Sequence, residues 1–201
     1  VTPAYLLPYE RAAGRGGVRA MLFPDQRAQA VRFAAIARHC PLAGRSVLDV
    51  GCGRADLLAW LRARGEGPRD YVGIEAQPGL ASEARSRRYA DSSIHEGDFV
   101  AQPALLQVGA QVVVFSGSLN LLDAADFYRA LRSGWSAAGE ALVFNFLSSP
   151  RLAGAPWLRW HLPEPVARFA RSLTPFVTLD DTYEPGDCTV VMRKPPRPPV
   201  E

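Results

Sequence analysis

The stretch SVLDVGCGRADLLAWLRARG, residues 46–65, changes its period halfway along. Residues 46–50 form a short apolar run that stops at Gly51-Cys52-Gly53, the pattern of a buried parallel strand entering a tight turn. From Ala55 to Arg64 the apolar residues return at helical spacing, with Leu57, Leu58 and Leu61 on one face. Gly65 and Gly67 then close the helix.

The same alternation extends in both directions. Upstream, residues 24–40 read as a helix, with Pro24 in its first turn and Ala30, Phe33, Ala34 and Ala37 recurring on one side. Downstream come a strand at 71–75, a polar helix at 80–89, a weak strand at 93–97 and a short helical stretch at 103–107. A strong strand at 111–116 follows, then a helix capped by Asp123 and a buried strand at 140–147. Residues 148–163, with three prolines and two tryptophans, read as a loop or lid. A short helix at 163–173 precedes two β runs separated by Glu184-Pro185-Gly186-Asp187, a hairpin signal. Residues 196–201 read as a tail.

Strands alternating with helices predict an α/β, doubly wound, mostly parallel sheet with a C-terminal antiparallel hairpin and helices on both faces. One domain over 1–195 is expected. Within it, 1–40 form an N-terminal lid or helix, 44–147 a ligand-binding core, and 148–195 a loop, helix and hairpin. Ligands bind such sheets outside the carboxyl ends of the strands.

Composition narrows the function. The chain has 201 residues, 48% hydrophobic and 21% charged, with a formal net charge of +3. That composition excludes disorder and coiled coil. No apolar run approaches the ~20 residues of a membrane span. The first residues show no basic stretch followed by an apolar core, so no signal peptide is expected there. Lys194 is the only lysine, which removes internal Schiff-base chemistry. Cys40, Cys52 and Cys188 form neither metal spacing nor a disulfide framework, so no metal and a reducing, cytoplasmic setting are expected. The positive charge is spread along the chain, without a basic run interleaved with aromatics, so a nucleic-acid partner is not expected. The cluster Arg85, Arg87 and Arg88 reads as a solvated helix face.

Three strand ends carry chemistry. Glycines at Gly51 and Gly53 let the backbone approach a ligand closely. Glu75 ends the second strand, where a carboxylate can accept both hydroxyls of a ribose. Asp98 follows the third, where it can accept from an exocyclic amine, with Phe99 to cover a purine ring.

Together these segments resemble the class I S-adenosylmethionine-dependent methyltransferases. VLDVGCGRADLLAWL is similar to their first motif, YVGIEAQPGL to their second and HEGDF to their third. The resemblance implies S-adenosylmethionine as cofactor, S-adenosylhomocysteine as product, and strand order 3-2-1-4-5-7-6 with the seventh strand antiparallel. It implies cofactor contacts at Asp49, Gly51, Cys52, Gly53, Glu75, Ala76, Gln77, Asp98, Phe99 and Ser116. Ala55 stands where a third glycine is frequent. The fourth strand ends in Ser116-Gly117-Ser118-Leu119-Asn120, without the Asn/Asp-Pro-Pro-Tyr/Phe motif of many amino-methyltransferases. A small-molecule acceptor is expected.

Methyl transfer from a sulfonium demands alignment more than acid–base chemistry, so no catalytic residue need stand out. His161 is the candidate base, while His39 reads as a helix-end cap and His95 as structural. Asn120 and Asn145 are candidate acceptor contacts. The segment Tyr5–Phe23 is read as a lid, with an arginine from it meeting an anionic acceptor. Two alternatives stay open: a non-catalytic S-adenosylmethionine-binding module, and an NAD-dependent oxidoreductase sharing the glycine turn and the ribose acid.

Overall fold

The structure is a computed structural model that describes residues 2–195; the tail expected at 196–201 lies outside the described residues. Seven strands form one sheet: β1 (Ser46–Val50), β2 (Asp70–Glu75), β3 (Ser92–Glu96), β4 (Val112–Ser116), β5 (Ala141–Leu147), β6 (Val177–Asp180) and β7 (Asp187–Arg193). Their order is β3-β2-β1-β4-β5-β7-β6. The first five run parallel, and β7 is antiparallel to both β5 and β6. This is the mostly parallel, doubly wound sheet with a terminal hairpin that the sequence predicts.

The helices are α1 (Leu7–Ala12), α2 (Gly17–Ala20), α3 (Gln26–His39), α4 (Asp56–Ala63), α5 (Pro78–Ser86), α6 (Ala124–Ala137) and α7 (Pro163–Leu173). Side chains alternate across a strand, and the central strands are apolar on both faces. Val47, Val112, Val114 and Val143 pack with Phe33, Ile36, Leu57, Leu58 and Leu61 of α3 and α4. Leu48, Val113, Phe115, Leu142 and Phe144 pack with Phe127 and Leu131 of α6 and Val166 and Ala170 of α7. Helices therefore cover both faces. The sheet edge is wetter: β3 has no fully buried residue, which is why its sequence signal is weak.

Three boundaries move for local reasons. Asp25 caps α3 by accepting from the Ala28 amide at 2.8 Å, so the helix starts at Gln26, after Pro24. α5 begins at Pro78 and stops at Ser86, and Arg88 just beyond it has φ +48°. His39 does more than end a helix: its Nε2 lies 2.7 Å from Asp180 Oδ2 and ties α3 to β6. Among the described residues no helix is long and apolar enough to cross a membrane.

Candidate functional site

The carboxyl ends of β1, β2 and β4 converge on the glycine turn. Gly51 has φ +73°, and a Cβ there would lie 2.4 Å from Ser118 Cβ. Only glycine fits both the conformation and the space. The Gly51 and Cys52 amides donate to the Ile74 carbonyl at 2.8 and 3.0 Å, locking the turn to β2. Ala55 holds φ +58° where glycine would be relaxed, a local cost of about 1 kcal/mol. The missing third glycine is therefore felt in the backbone conformation of the turn.

Glu75 is the organiser. Its Oε2 accepts from the Gly53 amide and its Oε1 from the Gln77 amide, both at 2.8 Å. Burial raises its pKa, and the amide hydrogen bonds oppose the shift. Asp49, buried beneath the turn, accepts from the Tyr71 hydroxyl at 2.6 Å. Burial pushes its carboxyl up to about 7, with the charges of Glu75 and Asp56 adding to the effect. Asp98 accepts from the Val100 amide through Oδ1 at 2.9 Å and from the Tyr5 hydroxyl through Oδ2 at 2.6 Å. Phe99 packs edge-on to Phe115 at 5.6 Å.

These groups line one cleft that is partly open to solvent. Asp49, Gly51, Cys52, Gly53, Glu75, Ala76, Asp98, Phe99 and Ser116 all face it. Gln77 does not; its amide serves Glu75 instead. Ser116 Oγ is buried without a hydrogen-bond partner, so a wall of the cleft holds an unspent polar group.

The N-terminal segment forms the opposite wall. Tyr5, Tyr9, Met21 and Phe23 line the cleft, and Met21 Sδ occupies the space a Cβ on Gly53 would take. Burial and the Glu75 charge raise the Tyr9 phenol pKa, while Arg32 lowers it. None of Arg11, Arg15 and Arg19 lines the cleft. The arginine near it is Arg32 of α3, whose Nε is paired with Asp187 Oδ2 and whose guanidinium lies 5.1 Å over Phe23. Asp187 also accepts from the Tyr183 hydroxyl at 2.7 Å.

Beyond Phe23 and Arg32 lies a second cavity of about 720 Å³, also partly open, walled by Leu22, Phe23, Leu147, Leu152 and Leu158. A smaller void of about 240 Å³ is lined by Tyr9, Met21 and Phe23 of the cleft and by Leu22, Asn120 and Leu158 of the second cavity. Four of the five charged side chains around this cavity are paired, Arg32 with Asp187 and Arg27 with Glu184 at 3.4 Å, while the fifth, Asp25, accepts from the Ala28 amide.

Three expected acceptor-side residues sit elsewhere or are committed. Asn145 is wholly buried, and its Oδ1 accepts from the Gly117 amide at 3.0 Å, so it braces a loop. Asn120 reaches the second cavity, but its Oδ1 already accepts from the Leu147 amide at 3.1 Å. His161 stacks on Phe127 at 3.9 Å, outside the cleft, and burial lowers its pKa. Its position after β5 is right, but its ring packs as an aromatic. The residues not foreseen individually are Tyr9, Met21, Phe23 and the Arg32–Asp187 pair. Among the described residues no cluster of His, Cys, Asp and Glu is placed to hold a metal.

A family model described as "Methyltransferase domain" matches residues 47–137. No curated protein matches the sequence. The fold is similar to that of the DhpI–SAM–HEP complex, with 15% identity, TM-score 0.69, and coverage of 97% of this chain and 100% of that one. It is similar to magnesium protoporphyrin IX methyltransferase from Synechocystis PCC 6803 with bound SAH, with 15% identity, TM-score 0.64 and 93% of each chain covered. It is also similar to Haemonchus contortus phosphoethanolamine N-methyltransferase 1 in complex with phosphoethanolamine and S-adenosylhomocysteine. There identity is 14% and TM-score 0.72, over 98% of this chain and 50% of that one.

Proposed function

We propose that this chain, a class I methyltransferase by its domain match and fold, binds S-adenosylmethionine in the Glu75 cleft and methylates a small, uncharged molecule held in the second cavity. The observation that carries this reading is the convergence of Gly51, Gly53, Glu75 and Asp98 on one cleft. The donor set suits the cofactor. Gly51 and Gly53 put the turn backbone in the wall of the cleft, where the methionyl part would lie, and Glu75 keeps lone pairs for ribose hydroxyls beyond the two amides it holds. Asp98 offers an acceptor to the adenine amine, and the unspent Ser116 hydroxyl adds one more polar contact.

When bound, the cofactor supplies a methyl group already activated on sulfur. The protein's share is alignment and exclusion of water. Residues 1–195 act as one domain in this reading, with the segment through Tyr5, Tyr9, Met21 and Phe23 as its lid. Phe23 and Tyr9 stand between cleft and second cavity, where donor and acceptor would meet. The apolar walls of that cavity, and the absence of an unpaired cation among its lining residues, support an uncharged acceptor. A nicotinamide cofactor and a non-catalytic role are not favoured, given the methyltransferase-domain match. Three buried cysteines without disulfides fit a reducing, cytoplasmic setting.

The test is release of S-adenosylhomocysteine with panels of neutral phenols and alcohols, carboxylates, and quaternary ammonium compounds. Turnover should be confined to neutral acceptors. Leu158→Trp should abolish it while S-adenosylhomocysteine binding persists. Turnover only on charged acceptors, or a fully active Leu158→Trp, would contradict the acceptor assignment.

A further inference from the structure

Five large apolar side chains are exposed among the described residues: Val108, Trp157, Trp160, Leu162 and Phe176. Three of them fall within six residues, on the segment joining β5 to α7. Leu162 is 58% exposed, Trp160 41% and Trp157 38%. Single exposed hydrophobics are ordinary, whereas a cluster marks a contact surface.

The same stretch of chain is basic. Arg151, Arg159, Arg168 and Arg171 are all exposed, and Glu164 is the only acidic residue between 148 and 173. This segment therefore carries a formal +3, and its one carboxylate, Glu164, lies 4.0 Å from Arg171. The segment is also anchored. α7 buries Val166, Ala167 and Ala170 against the hairpin side of the core and leaves Arg168 and Arg171 in solvent.

Exposed tryptophan and leucine interspersed in sequence with exposed arginine match the boundary of an anionic bilayer. The rings and the leucine enter the headgroup region, and the guanidinium groups meet lipid phosphates. We propose that residues 151–171 form a membrane-docking surface that seats the protein on anionic lipid. Leu152 and Leu158 of the same loop wall the second cavity, so the docking surface is continuous with a cavity suited to apolar molecules. The proposal rests on this surface alone and does not depend on the cofactor assignment.

The test is sedimentation of the full chain with vesicles of phosphatidylcholine alone or of phosphatidylcholine with phosphatidylglycerol. Thermal melting confirms that each variant is folded. Partition onto the anionic vesicles should be roughly a hundredfold stronger than onto neutral ones, given about three net charges at the surface. High salt should weaken it. Trp157→Ser with Trp160→Ser should remove binding through the apolar part. Arg151→Gln with Arg168→Gln and Arg171→Gln should remove the preference for phosphatidylglycerol. Failure of the wild-type chain to bind anionic vesicles would overturn the proposal, as would binding unchanged by the paired tryptophan substitution. Sedimentation velocity adds a further arm: a tryptophan-dependent dimer without vesicle binding would assign the surface to a second copy and overturn it too.

Discussion

The Tyr5 hydroxyl donates a 2.6 Å hydrogen bond to Asp98 Oδ2 across 93 positions of sequence. It fastens the N-terminal segment to the end of β3, at the carboxylate assigned to the adenine amine. A hydrogen bond to a charged group contributes about 1.5–3 kcal/mol, and partial exposure places this one at the lower end. Tyr5→Phe should weaken S-adenosylhomocysteine binding about tenfold, and removal of residues 1–22 should weaken it further, both read by calorimetric titration. Tighter binding by Tyr5→Phe would show instead that the hydroxyl competes with the ligand for Asp98.

Gly51→Ala asks whether the turn tolerates a side chain. The new Cβ would combine a left-handed backbone at φ +73° with an impossible approach to Ser118. The expected loss is about 3 kcal/mol from strain and overpacking. Urea denaturation should show it, together with loss of ligand binding. Wild-type stability in this variant would mean that the turn can be rebuilt around a methyl group.

Asp49 gives stability a defined pH dependence. Its carboxyl is raised to about 7 in the folded protein, against about 3.9 in an unfolded chain. Below pH 4 both states hold the proton and the group costs nothing. As pH rises towards 7, only the folded state retains it, so stability falls, and above 7 the full cost is present. Asp49→Asn removes this titration. Its advantage over wild type should be absent near pH 4 and should grow to the order of a few kcal/mol by pH 8. A constant difference across that range, measured by urea denaturation, would place the charge elsewhere.

Arg88 lies just past the end of α5 with φ +48° and an exposed side chain. Glycine is the usual residue at such a helix end. Arg88→Gly should raise the melting temperature by about 2 °C, as relief of strain exceeds the added freedom of the unfolded chain. Ligand binding should not change, because Arg88 is outside the cleft.

Much of the architecture was legible because local and global signals agree. Residues 46–65 change period where β1 meets α4, and the central strands are apolar on both faces because both faces are covered. The strand ends at Gly51, Glu75 and Asp98 could be located because a parallel sheet sends its carboxyl ends to one edge. How each side chain there is used could not be read from position alone. Asn145 lies in β5 and His161 follows it, yet one braces a loop and the other stacks on Phe127. Arg32 and Asp187 are 155 positions apart, and only the tertiary fold joins them. The N-terminal segment has two short helices around a glycine corner, with no sustained periodicity to announce that Tyr9, Met21 and Phe23 wall the cleft.

The central claim is that the Glu75 cleft holds S-adenosylmethionine. Its most direct test is calorimetric titration of the wild-type chain and of Glu75→Ala with S-adenosylhomocysteine, with NAD as control. The account predicts one site of about micromolar affinity, weakened at least about a hundredfold in the variant as the ribose contacts and the Gly53 and Gln77 anchors are lost. Tight NAD binding, or a folded wild-type chain that ignores S-adenosylhomocysteine, would contradict it.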